Sequence, residues 1–253
     1  MTRLMQGAVA PGLQCAMAQA ARHTPKHHPG DAQVGNQGQS PIYEESHMSM
    51  ISIIGTGSMA AVIARRSAQA GHTVEVIGRD PGKAQALADT LASGAITGTY
   101  GAAPAGEIVI LAVPYAGVSA VLAEVGAALD GKIVIDLANP VASDLTGLVT
   151  PHGSSSAQQT AAALPAGAQV VKAFNTIFGH VLAKGGHLDA FIAADDMEAK
   201  ARVSRFLESL GLRPLDVGGL HMAQTLEALG LMMIGLAKHG AGTWDFAMHV
   251  EIG

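Results

Sequence analysis

A glycine-rich pattern, G-x-G-x-x-A, lies between an apolar run at 50–54 and an amphipathic run at 58–70. The pattern comprises Gly55, Thr56, Gly57, Ser58, Met59 and Ala60. In such a setting the first glycine permits a tight turn, the second lets a phosphate approach the backbone, and the alanine keeps helix and strand close. The N–H groups at the start of the helix then hold the phosphates. The pattern predicts that residues 55–59 bind the pyrophosphate of a dinucleotide.

The end of the second predicted strand, 73–77, distinguishes the two common dinucleotides. NAD sites place an acidic side chain there, which accepts a hydrogen bond from the ribose 2′-hydroxyl. Here Gly78 stands at the strand end, Arg79 follows it, and Lys83 lies one helical turn further on. A guanidinium and an ammonium suit a 2′-phosphate, and Thr56 adds a hydroxyl donor. The sequence therefore favours NADP over NAD; the alternative is that Arg79 is a solvated turn residue.

Three later apolar runs also end in residues suited to a ligand site, because ligands of doubly wound sheets bind beyond the carboxyl ends of the strands. These residues are Ala112, Val113, Pro114, Asn139, Pro140 and Asn175. Pro114 lacks an N–H donor and presents apolar surface to a nicotinamide. Asn139 and Asn175 can bond to a carboxamide or to the edge of a flavin-like ring. Both are equally typical of a turn or a helix start, so the two interpretations stay open.

Motifs for acid–base, nucleophilic or metal-assisted catalysis are absent from the sequence. It contains no H-E-x-x-H, C-x-x-C, P-loop or G-x-S-x-G pattern, and its 11 histidines are scattered. We therefore assign no catalytic side chain and no metal site. A cofactor pocket without a proton donor favours a reaction in which the cofactor does the chemistry and the protein positions the reactants.

Strand-like and helix-like runs alternate from residue 50 onward. The predicted strands are 50–54, 73–77, 95–97, 107–113, 132–136, 169–173, 190–193 and 215–217. Helices are predicted over 58–70, 83–91, 176–184, 196–210 and 221–238, and Asp80 is predicted to cap the second of them. This alternation indicates an α/β fold of the Rossmann type, with a doubly wound, mostly parallel sheet. We expect an NADP-binding domain over 50–178 and a small C-terminal α/β portion over 179–253 for substrate binding or dimerisation.

Composition limits where the protein acts and what it binds. The formal net charge of −5 gives no electrostatic footprint for nucleic acid, and the single cysteine excludes an internal disulfide. The longest apolar run, 228–237, has 10 residues, whereas a membrane-spanning helix needs about 20. We expect a cytoplasmic protein with no membrane partner. Residues 1–49 are expected to be disordered, as an extension from cloning or from an upstream start site. The apolar helix 221–238 packs either on its own core or in a homodimer.

The segments around the predicted site resemble the NADPH-dependent coenzyme F420 reductases, also called F420-dependent NADP oxidoreductases. They are also similar to the NADPH-oxidising domain of the STEAP ferric reductases. The resemblance covers roughly residues 50–250. It rests mainly on the segments 55–60, 78–79, 112–115, 171–176 and 209–218.

This resemblance implies a Rossmann domain with a small C-terminal portion, assembled as a homodimer. NADPH would stack against a deazaflavin or flavin ring, and hydride would pass directly between the two. Thr56, Arg79 and Lys83 would hold the 2′-phosphate, while Pro114 and Asn139 would border the site of transfer. The partner is then a small-molecule redox acceptor: coenzyme F420, FMN or FAD.

Two other functions remain open from the sequence. One is an NADP-dependent reductase of a small imine or carbonyl metabolite, which would need Thr176, His180 or His221 as proton donor. The other is a non-catalytic NADP-binding sensor whose apolar C-terminal helix engages a partner.

Overall fold

A six-stranded sheet forms the centre of the computed structural model, which describes residues 48–91, 94–251 and 253. Its strands are β1 (Met50–Ile54), β2 (Thr73–Ile77), β3 (Ile96–Gly98), β4 (Ile108–Leu111), β5 (Ile133–Asp136) and β6 (Gln169–Lys172). All neighbours pair in parallel, in the order β3-β2-β1-β4-β5-β6. This is the doubly wound Rossmann order, so the predicted fold class is confirmed. The predicted disorder of residues 1–49 lies outside the described residues, apart from 48 and 49.

Seven α-helices are present in the described residues. They are α1 (Ser58–Gln69), α2 (Pro81–Ala88), α3 (Tyr115–Val125), α4 (Ser156–Ala163), α5 (Gly179–Lys184), α6 (Met197–Ser209) and α7 (Ala223–Gly235). Side chains of α1, α2 and α6 pack in one hydrophobic cluster with the sheet, and those of α3 and α4 pack in a second. Strands covered on both faces are mostly apolar, which explains the nearly continuous apolar runs in the sequence. The prediction that Asp80 caps α2 is confirmed: its carboxylate accepts from the N–H groups of Gly82 and Lys83.

The C-terminal portion adds a separate two-stranded parallel sheet of β7 (Leu188–Ile192) and β8 (Leu212–Asp216), connected by α6. A bridge between Lys172 and Ala193 joins it to β6. The predicted strand at 215–217 is too short, since β8 begins at Leu212 and includes Pro214. Proline is tolerated there because β8 is an edge strand with one partner. Apolar residues of β7, β8 and α6 belong to the same cluster as α1, and the proposed boundary at residue 178 stays a prediction.

The last helical segment is longer than the 10-residue apolar run on which the membrane expectation was based. A continuous helical stretch runs over Leu220–Gly240, 21 residues, and by length and composition alone it is able to cross a membrane. Core helices of soluble proteins pass the same test. In this stretch α7 buries Leu226, Glu227 and Met233 against the rest of the protein, while Met232 and Leu236 are exposed.

Candidate active site

The glycine-rich turn has the backbone geometry that its sequence pattern requires. Gly55 has φ +138°, and a Cβ placed there would lie 2.2 Å from the carbonyl oxygen of Ala112. Only glycine fits, because the turn brings β1 against the end of β4. A Cβ on Gly57 would meet nothing within 4 Å, so the first turn of α1 faces open space. Within residues 48–91 and 94–251 no side chain caps that turn, and its N–H groups are therefore open to a phosphate.

A cavity of about 490 Å³ opens beside this turn; we refer to it as the glycine-loop cavity. Its lining includes eight residues predicted for the cofactor: Gly55, Thr56, Gly57, Arg79, Lys83, Ala112, Val113 and Pro114. Tyr100 also lines it, and the sequence analysis missed this residue because it follows the short edge strand β3. The predicted ligands at the ends of β1, β2 and β4 therefore converge in one place.

Arg79 and Lys83 give the glycine-loop cavity a positive rim. Both are exposed, and neither forms an ion pair with a described residue. The carboxylate of Asp80 is engaged by the start of α2. At Gly78 a Cβ would lie 2.8 Å from the methyl group of Thr56. The position where NAD sites carry an acid thus holds no side chain, and the two cations suit a 2′-phosphate.

A second cavity of about 330 Å³ lies at the carboxyl ends of β5 and β6; we call it the asparagine cavity. Met59 lines it from the glycine-rich segment, and Asn139 and Asn175 line it from the two strand ends. The Asn139 amide donates to the Asn175 carbonyl oxygen at 2.7 Å, and the Asn175 amide donates to Asn139 Oδ1 at 3.0 Å and to the Leu226 carbonyl at 2.8 Å. The two amides are thereby fixed in orientation.

Two polar atoms at this cavity have no partner among the described residues. They are Oδ1 of Asn175 and Oγ1 of Thr176, whose residues are only 7% and 3% exposed. A buried polar atom left without a hydrogen bond costs about 1–3 kcal/mol, so each of these atoms requires a partner that the described residues do not supply, such as a water molecule or a bound group. Phe174, next in the chain, has φ +63°, a strained value for a bulky residue of the kind that clusters at functional sites.

A cluster of three charged side chains, each 0% exposed, lies between the strand ends and α7. The Lys172 ammonium donates to Asp136 at 2.9 Å, to Glu227 at 2.8 Å and to the Ala138 carbonyl. Ser156 and Thr160 donate to the other oxygen of Asp136. Burial raises the pKa of the Glu227 carboxyl, and Lys172 opposes that shift. Since the three residues belong to β5, β6 and α7, the cluster holds together the elements that carry Asn139, Asn175 and Gly230.

Not every predicted residue lines a cavity. Ser58 is exposed at the start of α1, and Pro140 is buried outside both cavities. Of the three possible proton donors, Thr176 lines the asparagine cavity, whereas His180 and His221 are exposed and line neither. The charged cluster and Trp244 were missed. A lysine inside an apolar strand, at 172, was the one available sign of the cluster.

The fold and the site together define a dinucleotide-binding protein of the Rossmann class. A glycine turn opens onto a positive rim, and a second cavity lies further along the same edge of the sheet. Bound groups in open α/β sheets occupy this carboxyl edge.

Comparison with known proteins agrees with this class. Residues 50–140 match the family described as NADP oxidoreductase, coenzyme F420-dependent. The F420-dependent NADP reductase of Methanothermobacter marburgensis is 32% identical over 201 residues, which cover 72% of this chain and 89% of that protein. Metalloreductase STEAP3 of Rattus norvegicus is 33% identical over 187 residues, 73% of this chain but only 37% of the rat protein. A crystal structure from Arthrobacter sp. FB24, provisionally assigned as an F420-dependent NADP reductase, has a TM-score of 0.71 and 28% identity and covers 80% of this chain and 99% of its own.

The chain therefore belongs to the family of F420-dependent NADP oxidoreductases, as its motifs predicted. Its class is NADP-dependent oxidoreductase, and NADP(H) is its cofactor. A reductive aminase of Aspergillus terreus in complex with NADPH, 21% identical with a TM-score of 0.60, shares the fold.

Proposed function

We propose that this protein transfers a hydride between NADPH and a planar ring acceptor, either the deazaflavin coenzyme F420 or a flavin such as FMN or FAD. One observation carries the proposal. No titratable side chain among the described residues lines the asparagine cavity, whose polar lining is limited to Asn139, Asn175 and Thr176, and the last two each carry a buried polar atom without a described partner. Hydride transfer between two rings needs no protein acid, whereas reduction of a carbonyl or imine does.

Each group of residues has a defined task in this proposal. The N–H groups of the glycine-rich turn bind the pyrophosphate, and Arg79, Lys83 and Thr56 hold the 2′-phosphate. NADPH, when bound, supplies the hydride. Asn175 Oδ1 accepts an N–H and the Thr176 hydroxyl donates to a C=O, a pairing that either a carboxamide or the imide edge of a flavin-like ring satisfies. The apolar side chains of Met59, Phe178 and their neighbours exclude water from the rings.

The test is an acceptor panel with purified protein. NADPH oxidation is followed with F420, FMN, FAD and a set of small imines and carbonyl compounds. We expect turnover with at least one of the tricyclic rings and a faster rate than with any small metabolite. Turnover restricted to imines or carbonyl compounds contradicts the proposal. Tight NADPH binding without turnover on any acceptor would instead support a sensor.

A reductase of small metabolites is the second candidate, and the Thr176 hydroxyl in the cavity favours it. Thr176→Val separates the two functions because it keeps the shape and removes the hydroxyl. A general acid contributes about 10²–10⁴-fold, so its loss would abolish most of the activity of a metabolite reductase. For ring-to-ring transfer we expect a fall in kcat of less than about tenfold, since only one hydrogen bond is lost.

The resemblance also leads us to propose a homodimer. Met232 and Leu236 are large, exposed apolar side chains near the end of α7, and such side chains are favourable where a second copy covers them. Sedimentation equilibrium distinguishes a dimer from a monomer, and Met232→Glu is expected to shift the protein toward the monomer. A wild-type protein that sediments as a monomer contradicts this proposal.

A further inference from the structure

The C-terminal segment 243–250, which we call the strap, is anchored to the body of the protein at two places. At the first, Lys184 at the end of α5 forms an ion pair with Asp245. Both side chains are more than half exposed, so this contact alone is weak. Ala247, two residues on, packs against the main hydrophobic cluster. The strap therefore follows a defined course over α5.

The second anchor is a buried carboxylate. Asp189 on β7 is 1% exposed, accepts two hydrogen bonds from Arg213 on β8, and accepts a third from the Val250 N–H at 2.7 Å. Arg213 also donates to the Val250 carbonyl. Hydrogen bonds from Arg213 hold the pKa of Asp189 below its usual range. Charge-assisted, bidentate contacts of this kind give geometric definition, so the end of the strap is fixed on the small sheet.

Trp244 and Phe246, on either side of the first anchor at Asp245, both contact the ring of Phe178, which lines the asparagine cavity. Phe178 meets Trp244 at 5.4 Å and 69° and Phe246 at 5.5 Å and 84°, both edge-to-face. Trp244 lines the asparagine cavity together with Asn175 and Thr176, and Phe246 does not. The indole is nevertheless 44% exposed. A large aromatic surface is thus held open at the cavity that contains the two unpartnered polar atoms.

We infer that Trp244 is a specificity-determining residue that stacks on the planar ring of the hydride acceptor; this inference rests on the proposed function. Aromatic rings gain most from offset or edge-to-face contact with another flat ring. The unpartnered atoms at the same cavity suit a group on which an N–H adjoins a C=O, as on the imide edge of a flavin-like ring. The cavity therefore recognises a planar imide-edged ring by two hydrogen bonds and one indole.

The ring of the acceptor is better placed than the nicotinamide to stack on the indole of Trp244. Every residue that lines the glycine-loop cavity falls between 54 and 121, so in the proposed function the pyrophosphate and the 2′-phosphate of the cofactor are bound by the first part of the fold. Trp244 comes from residues 243–250 and is 44% exposed. A ring that enters from solvent after the cofactor meets this exposed part of the indole.

Riboflavin, which presents the ring without phosphate, is the probe for this inference. Trp244 is the only tryptophan in the chain, so its emission reports on riboflavin bound nearby, and the Trp244 variants test the stacking itself. Riboflavin is titrated into the protein saturated with NADP+, a complex that cannot react. We expect saturable quenching in the wild type, about tenfold weaker riboflavin binding by calorimetry in Trp244→Ala, and recovery to within about threefold in Trp244→Phe. NADPH affinity is expected to change less than about twofold in both variants.

Phe246→Leu is the matched control, because Phe246 packs on the same Phe178 ring as Trp244 but does not itself line the cavity. It is expected to bind riboflavin like the wild type. Three results overturn the inference: unchanged riboflavin affinity in Trp244→Ala, an equal loss in Phe246→Leu, or an equal loss of NADPH affinity in Trp244→Ala. The first result would show that the indole does not contact the bound ring. The second would show that the loss of affinity comes from changed packing of the strap. The third would show that the indole contacts NADPH.

The failure of this inference is distinct from the failure of the proposed function. The proposed function is tested by hydride transfer from NADPH to F420 or FMN in the wild type. The role of Trp244 is tested by how strongly ring binding depends on this residue in the unreactive NADP+ complex. A wild-type protein that reduces F420 or FMN but whose Trp244→Ala variant retains full ring affinity supports the function and overturns the role of the strap. If the wild-type protein with NADP+ binds no riboflavin, the inference about Trp244 is overturned, whichever acceptor the protein reduces.

Discussion

The two cavities at the edge of the sheet are built in different ways. The glycine-loop cavity is lined by residues between Ile54 and Val121, and the polar groups that it presents include the N–H groups of the glycine-rich turn and two exposed cations. The asparagine cavity takes its lining from Met59 through to Trp244, and its polar atoms belong to buried side chains. Recognition of the cofactor is therefore local. In the proposed function, recognition of the second reactant depends on how distant elements meet, and the charged cluster of Asp136, Lys172 and Glu227 connects three of these elements.

The largest expected effect tests the role of this cluster. Lys172→Met leaves two buried carboxylates without their cation, which costs about 3–5 kcal/mol in the free energy of unfolding. Lys184→Met is the matched control, because the ion pair of Lys184 with Asp245 is exposed and contributes less than about 1 kcal/mol. Urea unfolding of the two variants measures the difference. Similar losses of unfolding free energy in both lysine variants would show that the buried cluster does not stabilise the elements around the asparagine cavity.

The preference for NADPH over NADH tests the role of the glycine-loop cavity. Arg79→Ala is expected to weaken NADPH binding by about 1.5–3 kcal/mol, the size of a charge-assisted hydrogen bond, and to leave NADH binding nearly unchanged. Arg65→Ala, which removes an exposed arginine from α1, serves as the control and is expected to affect neither cofactor. Calorimetric titration gives all the affinities. Equal losses for NADPH and NADH in Arg79→Ala would mean that Arg79 does not contact the 2′-phosphate.

Substitutions at the two glycines of the turn distinguish an effect on folding from an effect on cofactor binding within the same region. Gly55→Ala forces a side chain into a positive-φ position against the Ala112 carbonyl, so we expect a loss of stability of about 1–3 kcal/mol. Gly57→Ala is sterically free in the protein and is expected to keep stability within about 0.5 kcal/mol while it weakens NADPH binding. Thermal unfolding and NADPH titration of both variants check this. A stable Gly55→Ala that binds NADPH normally contradicts the turn geometry.

The smallest expected effects concern the dependence of the unfolding free energy on pH. The effect of Glu227 in the buried cluster has the opposite sign to that of Asp189 on the small sheet. Burial raises the pKa of Glu227 above its ordinary 4.5, although Lys172 and the Ser156 N–H oppose the shift and Asp136 adds to it. The native state then binds more protons than the unfolded one, so this contribution to stability falls as pH rises from 4.5 through the raised pKa. Asp189, beside Arg213, His249 and the Val250 N–H, has a pKa below its ordinary 3.8. Its contribution is lost as pH falls from 3.8 through the lowered pKa.

Two conservative variants isolate these opposite slopes. Glu227→Gln is expected to remove the decline in stability above pH 4.5, and Asp189→Asn the decline below pH 3.8, in urea unfolding measured across pH. The Asp189 variant is also expected to loosen the strap. A Glu227→Gln protein with the pH profile of the wild type would show that Glu227 titrates as it does in the unfolded chain.

The difference between the regions also explains what the sequence could predict. The G-x-G-x-x-A turn, the Asp80 cap and the continuous apolar strands are local features, and each was found where it was expected. Asp136 and Lys172 are 36 residues apart and Lys172 and Glu227 are 55 apart. No periodicity links such positions, and only the packing of β5, β6 and α7 brings them together.

The strap was missed for a related reason. Residues 243–250 have neither helical nor strand periodicity, and their course is set by Lys184, Asp189 and Arg213 on other elements. Trp244 therefore had no local sign of its place at the cavity.

Direct transfer of hydride between two rings is the central claim, and isotope labelling tests it most directly. NADPH carrying deuterium at one face of the nicotinamide C4 is incubated with the protein and F420 without oxygen, and the reduced deazaflavin is analysed by mass spectrometry. We predict that one of the two stereospecifically labelled cofactors delivers its deuterium to the ring and that the other does not. Reduced F420 that carries only solvent hydrogen with both cofactors, or no reduction of F420, FMN or FAD at all, contradicts this account.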